Sequence, residues 1–291
     1  MSAEERRRSS SGEALAEPRV ETRAPAVTVP DQPWWRRTWN LRDYWLTVYR
    51  RTWKGSVVNS FVTPLLYVAA MGLLLGSYIQ ADPATLDGAP SYLAFVVPGM
   101  LAAQTMMMAF GESTYPVMGQ IKWHKTYFSM LATPLGVPEI VLANLGFVVA
   151  RVALAAAVFV AVMVPFGVLA SPWGALGAVG VQMLAAVAFA APIYAFAASS
   201  DNEQGFTVIY RVLLLPLFLF SGGFFPVSNL GPTLETAAAF TPLFHATELT
   251  RSLMIGTSEP GPALAHLAYL AGLAALGVGL SIRALRKRLV R

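Results

Sequence analysis

LFLFSGGFFPVSNL, residues Leu217 to Leu230, interrupts an apolar run that begins near Val208. The run is apolar enough to enter a lipid bilayer, yet it meets Ser221, two glycines and Pro226 and then continues with aromatic residues. In lipid an unpaired backbone amide or carbonyl costs several kcal/mol, so such a break is tolerated only beside protein or a water-filled cavity. We therefore predict that a membrane span ends here within a protein environment.

The composition of the 291-residue chain is that of an integral membrane protein, with 55% hydrophobic and only 13% charged residues. Soluble domains carry about 25% charged residues. Cysteine is absent, which excludes disulfides, thiolate metal sites and cysteine catalysis. His124, His245 and His266 are too scattered for a local metal motif. Basic residues lie in the tails and one short loop, which argues against a nucleic-acid partner.

We predict an all-α integral membrane protein with six transmembrane helices. A span needs about 20 apolar residues to cross the ~30 Å hydrocarbon layer. The six segments that satisfy this are Val57 to Ile79, Tyr92 to Tyr115, Ile140 to Val168, Trp173 to Ser199, Phe206 to Phe225 and Ala263 to Arg283. Lys and Arg are concentrated before the first span, around Lys122 and after the sixth span. The positive-inside rule then places both termini in the cytoplasm.

Three regions divide the chain. Residues 1–33 are polar and rich in Pro and Ser, which predicts a disordered cytoplasmic tail. Residues 34–54 are predicted to form an interfacial amphipathic helix, in which Leu41 lies on the apolar face and Arg50 on the polar face. A plain cytosolic extension is the alternative for this segment. Residues 55–291 form the transmembrane domain.

After the break, two short apolar pieces, Leu234 to Phe240 and Leu243 to Ile255, are divided by Pro242. Neither suffices to span, so we predict short re-entrant helices on the external side; a simple external loop is the alternative. His245, Glu248 and Arg251 recur every three residues on the second piece. We interpret them as a surface hydrogen-bonding cluster, with a cluster that faces substrate as the alternative.

Ionisable residues within spans are Glu112, Arg151 and Arg211. Each is expected near the cytoplasmic end of its span, where it reaches the interface or forms a structural pair, with a direct substrate contact as the alternative. The loop around Lys122 mixes cations with aromatic residues and ends in Pro134. It is predicted to offer a short amphipathic helix to a cytoplasmic partner, or else to pack on lipid.

No sequence motif indicates an enzyme. The P-loop, H-E-x-x-H and G-x-S-x-G patterns are all missing. A secondary carrier is disfavoured because the sequence shows no carboxylate in mid-membrane and no obvious internal repeat. An enzyme acting on lipid-linked sugar is disfavoured because paired acids and metal motifs are lacking.

The parts of the chain follow one another in this order: a surface helix, six spans, the loop around YFSMLATPL, then FLFSGGFFPVSNL, FTPLFHATELTRSLMIG and the basic ending RALRKRLVR. This order and these stretches resemble the ABC-2 family of exporter permeases. Within that family the chain resembles the nodulation-factor exporters, a NodJ-like, lipo-oligosaccharide branch. The resemblance covers Thr38 to Arg291. It implies a bacterial inner-membrane exporter of an amphiphile such as a glycolipid or lipo-oligosaccharide, with a multidrug or hydrophobic-compound exporter as the alternative.

The resemblance also implies partners and sites. The chain would form a homodimer in contact with membrane lipid and bind two copies of a cytoplasmic ABC ATPase, which would hold the ATP and Mg; the chain itself would hold no cofactor, metal or catalytic residue. Residues expected to couple to the ATPase are Lys122, Trp123, His124, Lys125, Tyr127 and Phe128. Residues expected along the substrate path are Tyr67, Met107, Phe110, Phe220, Ser221, Phe224, Phe225 and Pro226.

Overall fold

The computed structural model describes residues 33–44, 46, 47, 50, 62, 66, 70, 86 and 88–290. Within this part of the chain all regular secondary structure is helical, which confirms the all-α prediction. The tail up to residue 32, Tyr67 and most of the predicted first span lie outside the described residues.

Eleven α-helices are described in these ranges. They are α1 (Trp34–Asn40), α2 (Tyr92–Ser113), α3 (Tyr115–Lys122), α4 (Thr126–Leu131), α5 (Val137–Met163), α6 (Pro172–Ser199), α7 (Gln204–Ile209), α8 (Leu215–Phe220), α9 (Pro232–Ala239), α10 (Pro242–Ile255) and α11 (Pro260–Leu289). A π-helical turn, Tyr210–Leu214, joins α7 to α8, so that the two run on as one helix. Short 3₁₀ turns occur at Val164–Phe166 and Val227–Leu230.

Four described helical segments are long and apolar enough to cross a membrane: Tyr92–Lys122, Val137–Phe166, Pro172–Ser199 and Pro260–Leu289. The apolar segment Gln204–Phe220 has 17 residues, which is about 25 Å of helix against a hydrocarbon layer of ~30 Å. The predicted fifth span therefore ends earlier than Phe225 and is short. Four spans are supported by the described helices, and six remains a prediction.

Proline and serine residues set several helix starts. Pro172 occupies the first turn of α6, and the Ser171 side chain accepts a hydrogen bond from the Gly174 amide at 3.0 Å. Serine caps of this kind satisfy an amide that the helix itself leaves unpaired. The chain between the predicted third and fourth spans therefore ends where α6 begins, at Pro172.

Helix α6 is the centre of the bundle, where it packs against α2, α5, α10 and α11. The contact with α11 is close: a Cβ at Gly277 would lie 2.7 Å from Cδ of Pro192. One turn further, the Ser281 hydroxyl donates to the Ala191 carbonyl at 2.7 Å. Small residues and an interhelical hydrogen bond are typical of helix packing in membranes.

Basic residues gather at one end of the bundle. Lys122 Nζ donates to the Asp201 carbonyl at 3.1 Å, and Arg288 forms an ion pair with the Asp201 carboxylate at 2.5 Å. These contacts bring together the end of α3, the α6–α7 link and the end of α11. We call this the basic end, defined by Lys122–Leu131, Asp201 and Arg283–Arg288.

The first helix packs at the same end. The Arg37 guanidinium donates to the Pro134 carbonyl at 3.2 Å, and Leu41 is buried with Ala143 of α5. Helix α1 ends at Asn40, and Leu41 forms its C-terminal cap, so the predicted continuous helix is interrupted here. The described positions 42–44, 46, 47 and 50 are helical again.

Candidate transport site and partner surface

The break predicted at the end of the apolar run is present at Ser221 to Pro226, and it contains hydrogen bonds of its own. Helix α8 ends at Phe220, and the Ser221 amide still bonds to the Leu217 carbonyl at 3.1 Å. Gly222 then has φ of 77°, a left-handed conformation that side chains disfavour. The Ser221 hydroxyl lies 3.2 Å from the Thr241 hydroxyl, which ties the break to the start of α10.

Glycine allows the break to touch α2. A Cβ at Gly99 would lie 2.3 Å from Cα of Gly223 and 2.6 Å from its carbonyl oxygen. No real Cβ fits in that space, so α2 and the break meet backbone to backbone. Pro98 precedes this contact within α2. The break is therefore buried against protein, as the sequence predicted.

Arg251 of α10 seals the break from the other side. Its Nη2 donates to the Gly222 carbonyl at 2.6 Å, and its Nε donates to the Phe95 carbonyl at 3.3 Å. Its guanidinium carbon lies 3.9 Å from the centre of the Phe95 ring, within the range of a cation–π contact. Nη1 pairs with the Glu248 carboxylate. One side chain thus joins α10, α2 and the break.

This position corrects the surface cluster expected from the sequence. Arg251 is only 2% exposed and is among the largest fully buried side chains. A buried cation needs partners that replace water, and here backbone carbonyls, a carboxylate and an aromatic face supply them. These partners come from elements distant in sequence, which spacing on one helix could not reveal.

The histidine of the same predicted cluster has a different role. His245 Nδ1 lies 2.7 Å from Nδ1 of His266 in α11, and its ring stacks on Tyr269 at 3.9 Å between centroids. Burial lowers the pKa of His245, and the neighbouring His266 lowers it further. The Tyr269 hydroxyl donates to the Phe240 carbonyl. This group fastens the α9–α10 pair to α11.

Aromatic residues of the predicted path lie around the break and along α2. The Phe224 ring is 5.0 Å from Phe218, and its carbonyl accepts a hydrogen bond from the Tyr92 hydroxyl at 3.2 Å. Phe110 lies 5.9 Å from Tyr210, which brings α2 beside the π turn. The remaining described members divide by exposure: Phe220 is exposed, Met107 and Phe225 are half-buried, and Ser221 and Pro226 are buried.

A charged pair lies deeper than expected. Glu112 forms an ion pair with Arg151, whose guanidinium is 5.8 Å from the Phe147 ring. Arg151 is midway along Val137–Met163, about 20 Å from the start of α5. The expectation that it lies near the end of its span is wrong, whereas the structural pairing is confirmed. Arg211 differs, because it is exposed in the π turn.

The loop expected to bind a partner presents most of its predicted residues outward. Lys125, with φ of 52°, is the turn point between α3 and α4. A non-glycine residue in this conformation is uncommon and often marks a functional site. The exposed members of the predicted set are Lys122, Trp123, His124, Lys125 and Phe128.

Tyr127 alone faces inward. It is fully buried, and its hydroxyl interacts with that of Tyr194 in α6 without reaching ordinary hydrogen-bond geometry. Burial raises the pKa of Tyr127 well above its usual range. Tyr127 therefore anchors α4 to α6, while its neighbours form the partner surface: Trp123, His124, Lys125 and Phe128.

Among the described residues, no group of three or more His, Cys, Asp or Glu side chains is placed to hold a metal ion. Two contributions were missed from the sequence: the packing role of Gly99 and the sealing role of Arg251. The lone basic residue between Pro226 and Pro262 was a signal for the second of these.

Long apolar helices around a buried helix break define the class of this molecule as a multi-pass helical membrane protein. The sequence profile of the ABC-2 type transporters matches residues 38–255, and the chain belongs to that family. Its members are the membrane components of transporters, so the chain is a transport protein.

The chain is similar to several curated proteins named nodulation protein J. The protein from Rhizobium leguminosarum bv. trifolii is 30% identical over 255 residues, covering 85% of this chain and 94% of the relative. The protein from Sinorhizobium fredii is 28% identical over 272 residues, covering 91% and 98%. The protein from Neorhizobium galegae is 30% identical over 256 residues, covering 85% and 94%. The resemblance drawn from the sequence is confirmed.

Proposed function

We propose that this chain is the permease subunit of an ATP-driven exporter that moves an amphiphile, such as a glycolipid or lipo-oligosaccharide, out of the cytoplasmic leaflet. Two copies of the chain would form the permease in a bacterial inner membrane, with both termini in the cytoplasm. Two copies of a cytoplasmic ABC ATPase would supply the ATP and Mg²⁺ chemistry. The similarity to nodulation protein J, over 85 to 91% of this chain, supports a substrate of this class.

The observation that carries the proposal is the partner surface at the basic end. Its aromatic and cationic side chains are exposed around the left-handed turn at Lys125, while Tyr127 connects the same turn to the central helix. A partner that pushes on this turn would therefore move α6 directly. Such a connection is what coupling between ATP hydrolysis and transport requires.

The substrate class is supported by the residues near the break. Phe218, Phe220 and Phe224 are aromatic, and Met107 contributes a flexible apolar side chain. The cation nearest the break, Arg251, is occupied by protein groups. An apolar path of this kind suits a substrate that carries an acyl portion.

The partner is tested by affinity purification of the tagged chain from its native membrane in mild detergent. We expect a P-loop ATPase at one-to-one stoichiometry in a complex of two plus two. Lys125→Glu and Trp123→Ala should reduce its recovery about tenfold, since an interface aromatic is commonly worth 1 to 2 kcal/mol. Trp173→Ala, an exposed tryptophan at the start of α6, is the matched control and should retain the ATPase.

Two results would contradict the partner assignment: purification of the chain without any ATPase even after crosslinking, or equal recovery with Trp123→Ala and Trp173→Ala. The substrate is tested separately, by ATP hydrolysis of the complex in proteoliposomes. Stimulation by a lipo-oligosaccharide supports the proposal. Stimulation by hydrophobic dyes alone supports the multidrug alternative.

A further inference from the structure

One face of α11 at the basic end forms an open groove of about 530 Å³. The residues that line it recur every three or four positions, so they form a single stripe on the helix. They are Gly279, Ile282, Arg283, Arg286, Lys287 and Val290. The groove therefore follows the helix axis, and it spans about 16 Å from the first to the last of these residues.

The stripe changes from apolar to cationic along its length. Gly279 and Ile282 come first along the helix, and Arg283, Arg286 and Lys287 follow within the next two turns. A Cβ at Gly279 would meet no heavy atom within 4 Å, so the inner part of the groove is open. The order of apolar and then cationic residues along the groove matches that of a phospholipid, whose acyl chains lie below an anionic headgroup.

The three cations are available to a ligand. Within the described part of the chain, no acidic side chain pairs with Arg283, Arg286 or Lys287, and all three are exposed. The adjacent Arg288 differs, because it is half-buried and pairs with Asp201. Two arginines and a lysine on one face can surround a phosphate with charge-assisted hydrogen bonds.

We propose that this groove binds an anionic phospholipid, with the phosphate between Arg286 and Lys287, a second contact from Arg283, and an acyl chain along Ile282 and Gly279. Basic clusters at the cytoplasmic ends of membrane helices attract anionic headgroups, and α11 ends in such a cluster. The site is separate from the partner surface and from the break. It does not depend on which substrate the chain carries.

The headgroup contact is tested on the full chain in nanodiscs of phosphatidylcholine with a minor fraction of phosphatidylglycerol, by native mass spectrometry of retained lipid. We expect phosphatidylglycerol to be enriched over its share of the disc. Arg286→Gln should lower that enrichment about fivefold, as expected for one cation near an anionic surface. Arg288→Gln removes an equal charge two residues away and should leave the enrichment unchanged.

The acyl contact is tested by filling the groove. Gly279→Leu leaves every cation in place and should reduce lipid retention, because its side chain would occupy the acyl position. Gly272→Leu, at another open glycine of α11, is the control. A free phosphate or an acidic protein would be insensitive to Gly279→Leu, so this pair of variants identifies lipid as the ligand.

Three outcomes would overturn the proposal. The first is equal retention of phosphatidylglycerol and phosphatidylcholine. The second is an equal effect of Arg286→Gln and Arg288→Gln, which would indicate only diffuse attraction to the membrane surface. The third is loss of the ATPase partner with Arg286→Gln while lipid retention stays normal, which would assign the groove to a protein. Lys287→Gln repeats the test if Arg286→Gln lowers the yield of folded protein.

Discussion

The two ends of the bundle treat their polar groups in opposite ways. At the end that contains the break, which we call the sealed end (Ser221–Ile255 and the start of α2), Ser221, Thr250 and Arg251 are buried and hydrogen-bonded to protein. At the basic end, the cations and aromatic residues around Lys125 are exposed. The difference indicates that the sealed end is built for closure and the basic end for contact with other molecules.

The contrast follows from how each end satisfies its backbone. At the sealed end the chain leaves helical geometry at membrane depth, so its carbonyls need partners from other elements. Arg251 donates to the Gly222 carbonyl, and the Tyr92 hydroxyl donates to the Phe224 carbonyl. At the basic end water can satisfy the backbone, and the side chains are therefore available for partners.

The largest effect is expected from Arg251→Leu. It removes the donor to the Gly222 carbonyl and leaves Glu248 without its cation. Breaking a buried pair costs about 3 kcal/mol or more, which corresponds to a fall in melting temperature of about 5 to 10 °C for a chain of this size. Thermal unfolding of the purified protein in detergent is the measurement.

Matched substitutions decide whether this cost belongs to the sealed end. Arg211→Leu removes an exposed arginine and Trp123→Ala truncates an exposed side chain at the basic end. Both should change stability by less than about 0.5 kcal/mol. A similar loss for Arg251→Leu and Arg211→Leu would refute the contrast between buried and exposed cations.

A smaller loss is expected from Gly99→Ala. The added methyl group would collide with the backbone of Gly223, and overpacking of this kind costs about 1 to 3 kcal/mol. Gly111→Ala lies on the same helix in open space and should be neutral or stabilising, because alanine favours the helix by up to about 1 kcal/mol. Melting temperatures of the two variants give a direct comparison, and equal values would contradict the close approach.

The smallest effect is expected from acid. The pKa of His245 is lowered in the folded chain, first by burial and then by His266, so the folded state favours the neutral ring. The stabilisation from the neutral His245 ring is fully present above the pKa of this histidine in the unfolded chain, about 6.5. It is lost as the pH falls through the lower pKa of His245 in the folded chain. The charged residues near His245 on the same helix are Glu248 and Arg251, within the two turns that follow it, and the Tyr269 ring stacks on the His245 ring.

The measurement is the melting temperature between pH 8 and pH 5. The wild type should lose stability toward pH 5. His245→Gln should reduce this pH dependence, whereas His124→Gln, at the exposed turn of the basic end, should preserve it. An unchanged pH dependence in His245→Gln would show that the histidine pair does not hold α10 to α11.

Local sequence predicted the features that depend on local chemistry. Pro172 and Pro242 mark helix starts because proline suits the first turn of a helix. Two glycines and a proline after Phe220 indicated the end of the apolar helix. The exposed cations and aromatic residues around Lys125 followed from their mixture in this loop, but the short amphipathic helix predicted there is divided into α3 and α4 by the turn at Lys125.

Features that depend on packing were not predictable in the same way. Arg251 looked like a surface residue, because its partners Phe95 and Gly222 are distant in sequence. Arg151 was placed near a helix end, but α5 begins at Val137 and Glu112 of another helix balances its charge. Tyr127 was grouped with its exposed neighbours, although the turn at Lys125 directs it into the core.

The π-helical turn Tyr210–Leu214 carries a consequence for movement. Such a turn accommodates one residue more than regular helix, and one residue corresponds to a rotation of about 100° around the helix axis. Relaxation of this turn would therefore swing Phe220 from one side of α8 to another while α7 stays in place. The hydroxyl contact between Ser221 and Thr241 would act as the pivot. A rotation at this turn would thus change which side of α8 faces the rest of the bundle.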